Sequence, residues 1–147
     1  MALTSTRRRT TSVSAHRDPV LLGIVFVGGA LGTAIRSLLG DAFAGPSGSW
    51  PWTTLAINLS GAFLLGLLLE ALVRSGTDTG TRRLARLGIG TGVMGGYTTY
   101  STFMVETTQL SWLPAAAYVV ATVVLGAVLA WAGIAAAKAV VPIGGDA

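Results

Sequence analysis

The feature that most constrains this chain is the stretch Gly95-Gly96-Tyr97-Thr98-Thr99-Tyr100-Ser101-Thr102-Phe103, which lies inside an apolar segment running over about residues 87–105. A glycine pair followed by β-branched threonines disfavours an unbroken helix. The surrounding sequence is that of a membrane span, and in lipid every unpaired backbone N–H or C=O costs several kcal/mol. An irregular backbone at that depth is tolerated only where it is buried in protein or lines a watery cavity. The interruption therefore points to an ion or solute path.

The rest of the chain agrees with a membrane setting. Of its 147 residues, 52% are hydrophobic and only 11% charged, with a mean hydropathy of +0.68, outside the range of soluble domains. Windows of about 20 apolar residues predict four spans, at 20–39, 53–73, 87–105 and 113–137. They form one membrane domain over 20–138, an all-α integral membrane protein with four transmembrane helices and a broken third helix. A basic tail expected to be disordered covers 1–19, and a short C-terminal tail covers 139–147. The arginines before the first apolar segment suggest a secretory signal, but the segment has full span length and no clean small-residue cleavage site, so it is taken as the first helix. The connection at 40–51 carries the turn-rich Gly45-Pro46-Ser47-Gly48 and ends with Trp50 and Trp52, as interfacial aromatics do. A connection of a few residues around Gln109-Leu110-Ser111 makes the last two spans antiparallel neighbours.

Charge sorts by side. Arg7, Arg8, Arg9 and Arg17 precede the first span, Arg74, Arg82, Arg83 and Arg86 lie between the second and third, and Lys138 follows the fourth. These nine of the ten basic residues fall on one face, with Arg36 alone toward the other. Positive residues stay cytoplasmic, so both termini of this cell-membrane, multi-pass protein are expected in the cytoplasm. Because the basic residues flank apolar segments and form no stripe on a soluble surface, nucleic-acid binding is not expected. No cysteine is present and the one histidine, His16, lies in the basic tail. With no base near any membrane hydroxyl, an enzyme is not expected.

Several polar residues in the spans have two readings each. Gly28 and Gly32 share a helix face with Arg36. The glycines allow close helix packing, while Arg36 either snorkels to the interface or draws an anion into a vestibule. Asn58 shares a face with Thr54 and Gly61; its amide either joins two helices or donates to a passing anion. Glu70 and Glu106, near span ends, read as interfacial. The broken third helix frees carbonyls suited to a small hard cation and leaves the hydroxyls of Thr99, Ser101 and Thr102 to donate or accept. Tyr100 and Phe103, three residues apart, offer ring edges of partial positive charge that suit a dehydrated halide, or simply pack. On the fourth span Tyr118 and Thr122 begin a polar track that fades at Gly126 and Ala130.

Three stretches together resemble the Fluc (CrcB) fluoride channels: Gly28-Gly29-Ala30-Leu31-Gly32-Thr33-Ala34-Ile35-Arg36, Thr54-Leu55-Ala56-Ile57-Asn58-Leu59-Ser60-Gly61-Ala62-Phe63, and Gly92-Val93-Met94 followed by the opening stretch through Phe103. The resemblance covers all four spans in order. It implies an antiparallel, dual-topology-type dimer with two narrow pores, passive export of cytoplasmic fluoride, and hence fluoride resistance. It also implies a structural sodium ion (Na+) at the dimer interface, held by main-chain carbonyls of Gly95 and Thr98. Asn58, Tyr100, Phe103, Tyr118 and Thr122 match the family's pore positions, Arg36 matches its first-helix arginine and is grouped with them, and Thr99, Ser101 and Thr102 fall in its hydroxyl-rich segment. Two departures stand out. Tyr100 replaces the usual phenylalanine, and Gly126 and Ala130 stand where the family tends to have hydroxyls. An antiparallel homodimer requires insertion both ways, which a nine-to-one charge bias opposes. The expected partners are thus fluoride, membrane lipid, and a second subunit, with a heterodimer of paralogous chains favoured over a homodimer. A small multidrug-resistance-type proton-coupled exporter would need a carboxylate in the first span, and 20–39 has none. A non-transporting scaffold subunit, in which the glycines serve packing alone, is the remaining alternative.

Overall fold

The computed structural model describes residues 18–46 and 48–144, so the basic tail before Asp18, Ser47 of the 45–48 turn, and the end of the C-terminal tail at 145–147 lie outside it. Every regular element among the described residues is helical. Helix α1 spans Pro19–Ala42 and α2 spans Trp52–Arg74. A short α3, Gly80–Ala85, runs into a π-helical segment, Arg86–Val93, and then α4, Met94–Tyr97. After three non-helical residues come α5, Ser101–Gln109, and α6, Trp112–Val140. Three of these, α1, α2 and α6, are long and apolar enough to cross a membrane. The third expected span is divided into consecutive pieces, none of that length.

Local chemistry accounts for the ends. Asp18 caps α1, its Oδ1 accepting from the Val20 N–H at 3.0 Å, with Pro19 in the first turn, where its missing N–H is no loss. At the other face the α2 and α6 C-termini are tied together. The Arg74 Nε donates to the Val141 carbonyl at 2.6 Å, and the Gly144 N–H donates to the Arg74 carbonyl at 2.9 Å. Each bond satisfies a carbonyl that a helix end leaves open. The connection after α2 turns through Gly76 and Gly80, both at positive φ, and is pinned by the Arg86–Asp78 ion pair at 2.7 Å. Hydrogen bonding from Arg86 holds the exposed Asp78 carboxyl below the usual aspartate range.

In lipid there is no hydrophobic drive between helices, so close backbone approach takes its place. Helix α1 packs on the π segment and α4 through small residues. A Cβ on Gly32 would stand 2.1 Å from the Val93 carbonyl oxygen, and one on Gly96 would stand 2.3 Å from that of Gly29. Helices α2 and α6 meet in the same way, where a Cβ on Gly66 would lie 2.3 Å from the Ala130 oxygen and one on Gly133 2.1 Å from that of Phe63. These two seams hold the first half of the third segment on α1 and leave its break beside α2. The apolar cluster that fixes the other half consists of Leu55, Phe103 and Tyr118, with Trp50, Leu59, Leu110 and Val119 against it.

Candidate functional site: a broken helix flanked by a groove and a cavity

Helix α4 stops because Thr98 turns extended, at φ −76° and ψ 157°. A break of this kind removes helical partners from several backbone groups, and each needs another. Asn58 on α2 supplies two. Its Nδ2 donates to the Thr99 carbonyl at 3.0 Å, and its Oδ1 accepts from the Thr99 N–H at 2.8 Å. Arg36 supplies a third, its Nε donating to the Gly96 carbonyl at 3.2 Å, with the Thr33 hydroxyl at 3.5 Å from the same oxygen. The Thr99 hydroxyl accepts from the Thr102 N–H at 3.2 Å, opening α5, and donates to the Thr102 hydroxyl at 3.0 Å. Tyr97 is anchored on α2 by a 2.9 Å bond between its hydroxyl and that of Ser60. The Gly95 and Thr98 carbonyls accept no hydrogen bond among the described residues.

Two hollows flank this segment. A groove of about 570 Å³ is lined by Asn58, Gly95, Thr98, Tyr100, Phe103 and Thr122, among others. A Cβ on Gly95 would meet nothing within 4 Å, so that residue faces open space on the groove side. On the other side of α5 a cavity of about 610 Å³ lies under the α1–α2 connection and is lined in part by Trp50, Thr54, Thr102 and Glu106. Rings run from one hollow to the other. Tyr100 and Phe103 have centroids 6.0 Å apart, Phe103 and Tyr118 5.0 Å, and Tyr118 and Trp50 5.7 Å. Phe103 is 7% exposed and Tyr118 fully buried, whereas Tyr100 at the groove end is 75% exposed. The added hydroxyl of Tyr100 therefore needs no partner within this chain.

At the cavity end a carboxylate gathers two hydroxyls. The Thr54 Oγ1 donates to Glu106 Oε1 at 2.6 Å, and the Tyr118 hydroxyl donates to Oε2 at 2.9 Å. Glu106, read from its position as interfacial, is thus tied to two other helices. The signal that points to it is Thr54, since a buried threonine on the face of Asn58 calls for a partner. The spacing between residues 54 and 106 gave no hint of which.

The expected pore residues divide accordingly. Asn58, Tyr100, Phe103 and Thr122 line the groove together. Tyr118 joins them through Phe103, Thr102 faces the cavity, and Ser101 is exposed, its hydroxyl 3.3 Å from that of Thr99. Arg36 stands apart on the α1 side, with its guanidinium on the Gly96 carbonyl. The Thr122 hydroxyl donates to the Tyr118 carbonyl at 2.8 Å, one turn back on its own helix. The loss of hydroxyls further along α6 has a packing reason at Ala130, whose backbone lies against Gly66.

The groove end offers backbone carbonyls, an amide and ring edges without a formal charge. Such a surface suits a small ion stripped of water, with carbonyl oxygens for a hard cation and N–H and ring-edge dipoles for an anion.

Comparison with known proteins bears on which ion. Residues 23–134 match the family model described as CrcB-like protein, Camphor Resistance (CrcB). The chain is 52% identical over 128 residues to "Fluoride-specific ion channel FluC 1" of Cutibacterium acnes, covering 84% of this chain and 90% of that one. It is 46% identical over 138 residues to "Fluoride-specific ion channel FluC 2" of Leifsonia xyli subsp. xyli, covering 91% and 93%. A third relative, "Fluoride-specific ion channel FluC" of Geobacter sulfurreducens, is 43% identical over 119 residues, covering 78% and 94%.

Proposed function

This all-helical, multi-pass membrane chain belongs to the CrcB-like family, and from that premise we propose that it is a subunit of a passive, fluoride-selective channel through which cytoplasmic fluoride leaves the cell. The observation that carries the reading is the run of rings and donors beside the broken helix. Asn58, Tyr100, Phe103 and Thr122 share one groove, and the rings continue through Tyr118. Fluoride is small, strongly hydrated and an acceptor only. Its passage through an apolar protein requires N–H, O–H and ring-edge dipoles in place of water. Asn58 gives one amide hydrogen to Thr99 and keeps the other. Phe103 presents its ring between Tyr100 and Tyr118.

The chain works as an antiparallel dimer closed over the groove. Supporting this are the open face at Gly95 and the 75% exposure of Tyr100, both on a groove that Ala62, Leu65, Met94 and Val123 also line. The sodium ion belongs at that closure. The carbonyls of Gly95 and Thr98 fit it, since both residues line the groove and neither oxygen is taken by an N–H or O–H among the described residues. Oxygen donors of this kind suit a hard cation, and the ion supplies a charge that ties two subunits together. Two carbonyls from one chain are too few for a full shell, which is consistent with a second subunit adding its own.

The subunit sits with both termini in the cytoplasm and pairs with a related chain inserted the opposite way. The support is the nine-to-one distribution of basic residues, which favours one orientation. Growth of a fluoride-sensitive bacterium tests the function. Expression of this chain, alone or with an oppositely inserted relative, is expected to restore growth in fluoride. Unchanged sensitivity with correctly inserted protein would contradict it.

A further inference from the structure

Among the described residues one side-chain polar atom is buried without a hydrogen-bond partner, the indole nitrogen of Trp50. Indole nitrogen is a donor only, and enclosing it unpaired costs about 1–3 kcal/mol. Tryptophans at a membrane surface ordinarily turn this group to water or headgroups. Here the ring is turned inward. Trp50 lies just before α2, between Trp52 at 5.8 Å and Tyr118 at 5.7 Å. Its own residue is held by a Trp52 N–H to Trp50 carbonyl bond of 2.9 Å and not by a helix.

The location gives the unpaired donor a use. Trp50 lines the 610 Å³ cavity together with Thr54, Thr102 and Glu106, and its ring neighbours that of Tyr118, which in turn neighbours Phe103. Both neighbouring hydroxyls, on Thr54 and Tyr118, are donated to Glu106. Between the cavity and the rings there thus lie a carboxylate whose two hydroxyl partners are already engaged and an enclosed N–H that has no partner.

We propose that Trp50 is a specificity-determining donor at the cavity end of the pathway, its indole N–H turning toward the cavity to bond fluoride as the ion gives up water. This rests on the channel reading. The donor is strongest for the ion with the highest hydrogen-bond basicity, so fluoride gains more from it than chloride does.

The test uses the full chain in the dimer that gives flux. With Trp52, Trp112 and Trp131 replaced by phenylalanine, one indole remains, and its ¹⁵N–H resonance is followed as sodium fluoride or sodium chloride is added. A saturable downfield proton shift with fluoride and none with chloride is expected. In the otherwise native chain, Trp50→Phe keeps a ring against Tyr118 and removes the N–H. Its half-saturating fluoride concentration is expected to rise about tenfold, with the maximal rate little changed, the size of one charge-assisted bond. An indole resonance indifferent to fluoride, or an unchanged half-saturation in Trp50→Phe, would overturn the proposal. Wild-type protein without fluoride flux would overturn the channel reading instead, and the indole titration would still decide whether Trp50 binds the anion.

Discussion

Asn58 holds Thr99 by both backbone groups, giving its amide hydrogen to the carbonyl at 3.0 Å and taking the N–H at 2.8 Å. A side chain here does the work of a neighbouring strand. It satisfies the residue that the helix break strands in the middle of a membrane protein, and it fixes its own amide orientation in doing so. The residue that faces the groove is therefore also the residue that keeps the break in shape.

Asn58→Ala is expected to leave both Thr99 groups unpaired, at about 1–3 kcal/mol each. Asn58→Asp keeps the acceptor but sets a carboxylate oxygen against the Thr99 carbonyl. Both variants are expected to lose flux and to melt earlier, with the loss in melting temperature measured in detergent. A variant with native stability and no flux would assign Asn58 to the ion alone.

Two glycines, Gly32 on α1 and Gly95 on α4, are expected to behave oppositely. A Cβ on Gly32 would lie 2.1 Å from a backbone oxygen, whereas one on Gly95 meets nothing within 4 Å. Gly32→Ala should therefore force α1 off the third segment and destabilise the fold by about 1–3 kcal/mol. Gly95→Leu should leave the single chain folded and disrupt the proposed dimer, and in the native chain removal of the proposed sodium ion should weaken the same assembly. Thermal melts and single-molecule subunit counting separate the two effects.

Glu106 and Tyr118 are expected to be coupled. Glu106→Ala strands the fully buried Tyr118 hydroxyl, so it should cost about 1–3 kcal/mol beyond the packing loss. Tyr118→Phe removes that hydroxyl, and the double variant should be more stable than the sum of the two predicts. Additive effects would show that the carboxylate and the phenol act independently.

The Asp78–Arg86 pair lies outside the membrane and gives a pH signature. Hydrogen bonding from Arg86 lowers the Asp78 pKa in the folded protein. Its contribution is thus present above the ordinary aspartate range and is lost as pH falls through the lowered folded value. Because the pair is exposed, the effect is small and should shrink with salt. Asp78→Asn is expected to lower the neutral region of a melting-temperature profile slightly and leave the acid end where it is, so that this acid-side slope flattens.

Sequence alone made the break legible because glycines and threonines in an apolar span violate two local rules at once. The pairing of Asn58 with a partner across helices was legible as a possibility, since an isolated amide in lipid must bond something. What stayed hidden depended on distance along the chain. Arg36 meets Gly96 and Glu106 meets Thr54 across gaps of 60 and 52 residues, and neither gap follows from periodicity. The π-helical turns of Arg86–Val93 were equally unreadable, since their pattern of glycines also fits an ordinary α-helix. The fading track on α6 reads from sequence as a loss, whereas the backbone of Ala130 packs against Gly66. Residues 126 and 130 lie on one helix face, but only packing tells whether that face meets an ion or another helix.

Fluoride-electrode efflux from liposomes tests the channel assignment most directly, using the wild-type chain, alone and paired with an oppositely inserted relative, beside Phe103→Ile. Phe103 is 7% exposed and stands between the Tyr100 and Tyr118 rings, so isoleucine removes the ring edge while keeping an apolar side chain in its place. The predicted result is rapid fluoride loss from wild-type vesicles that leaves chloride behind, and its abolition in an assembled Phe103→Ile dimer. No fluoride loss with any correctly inserted dimer, or undiminished loss through Phe103→Ile, would contradict the account.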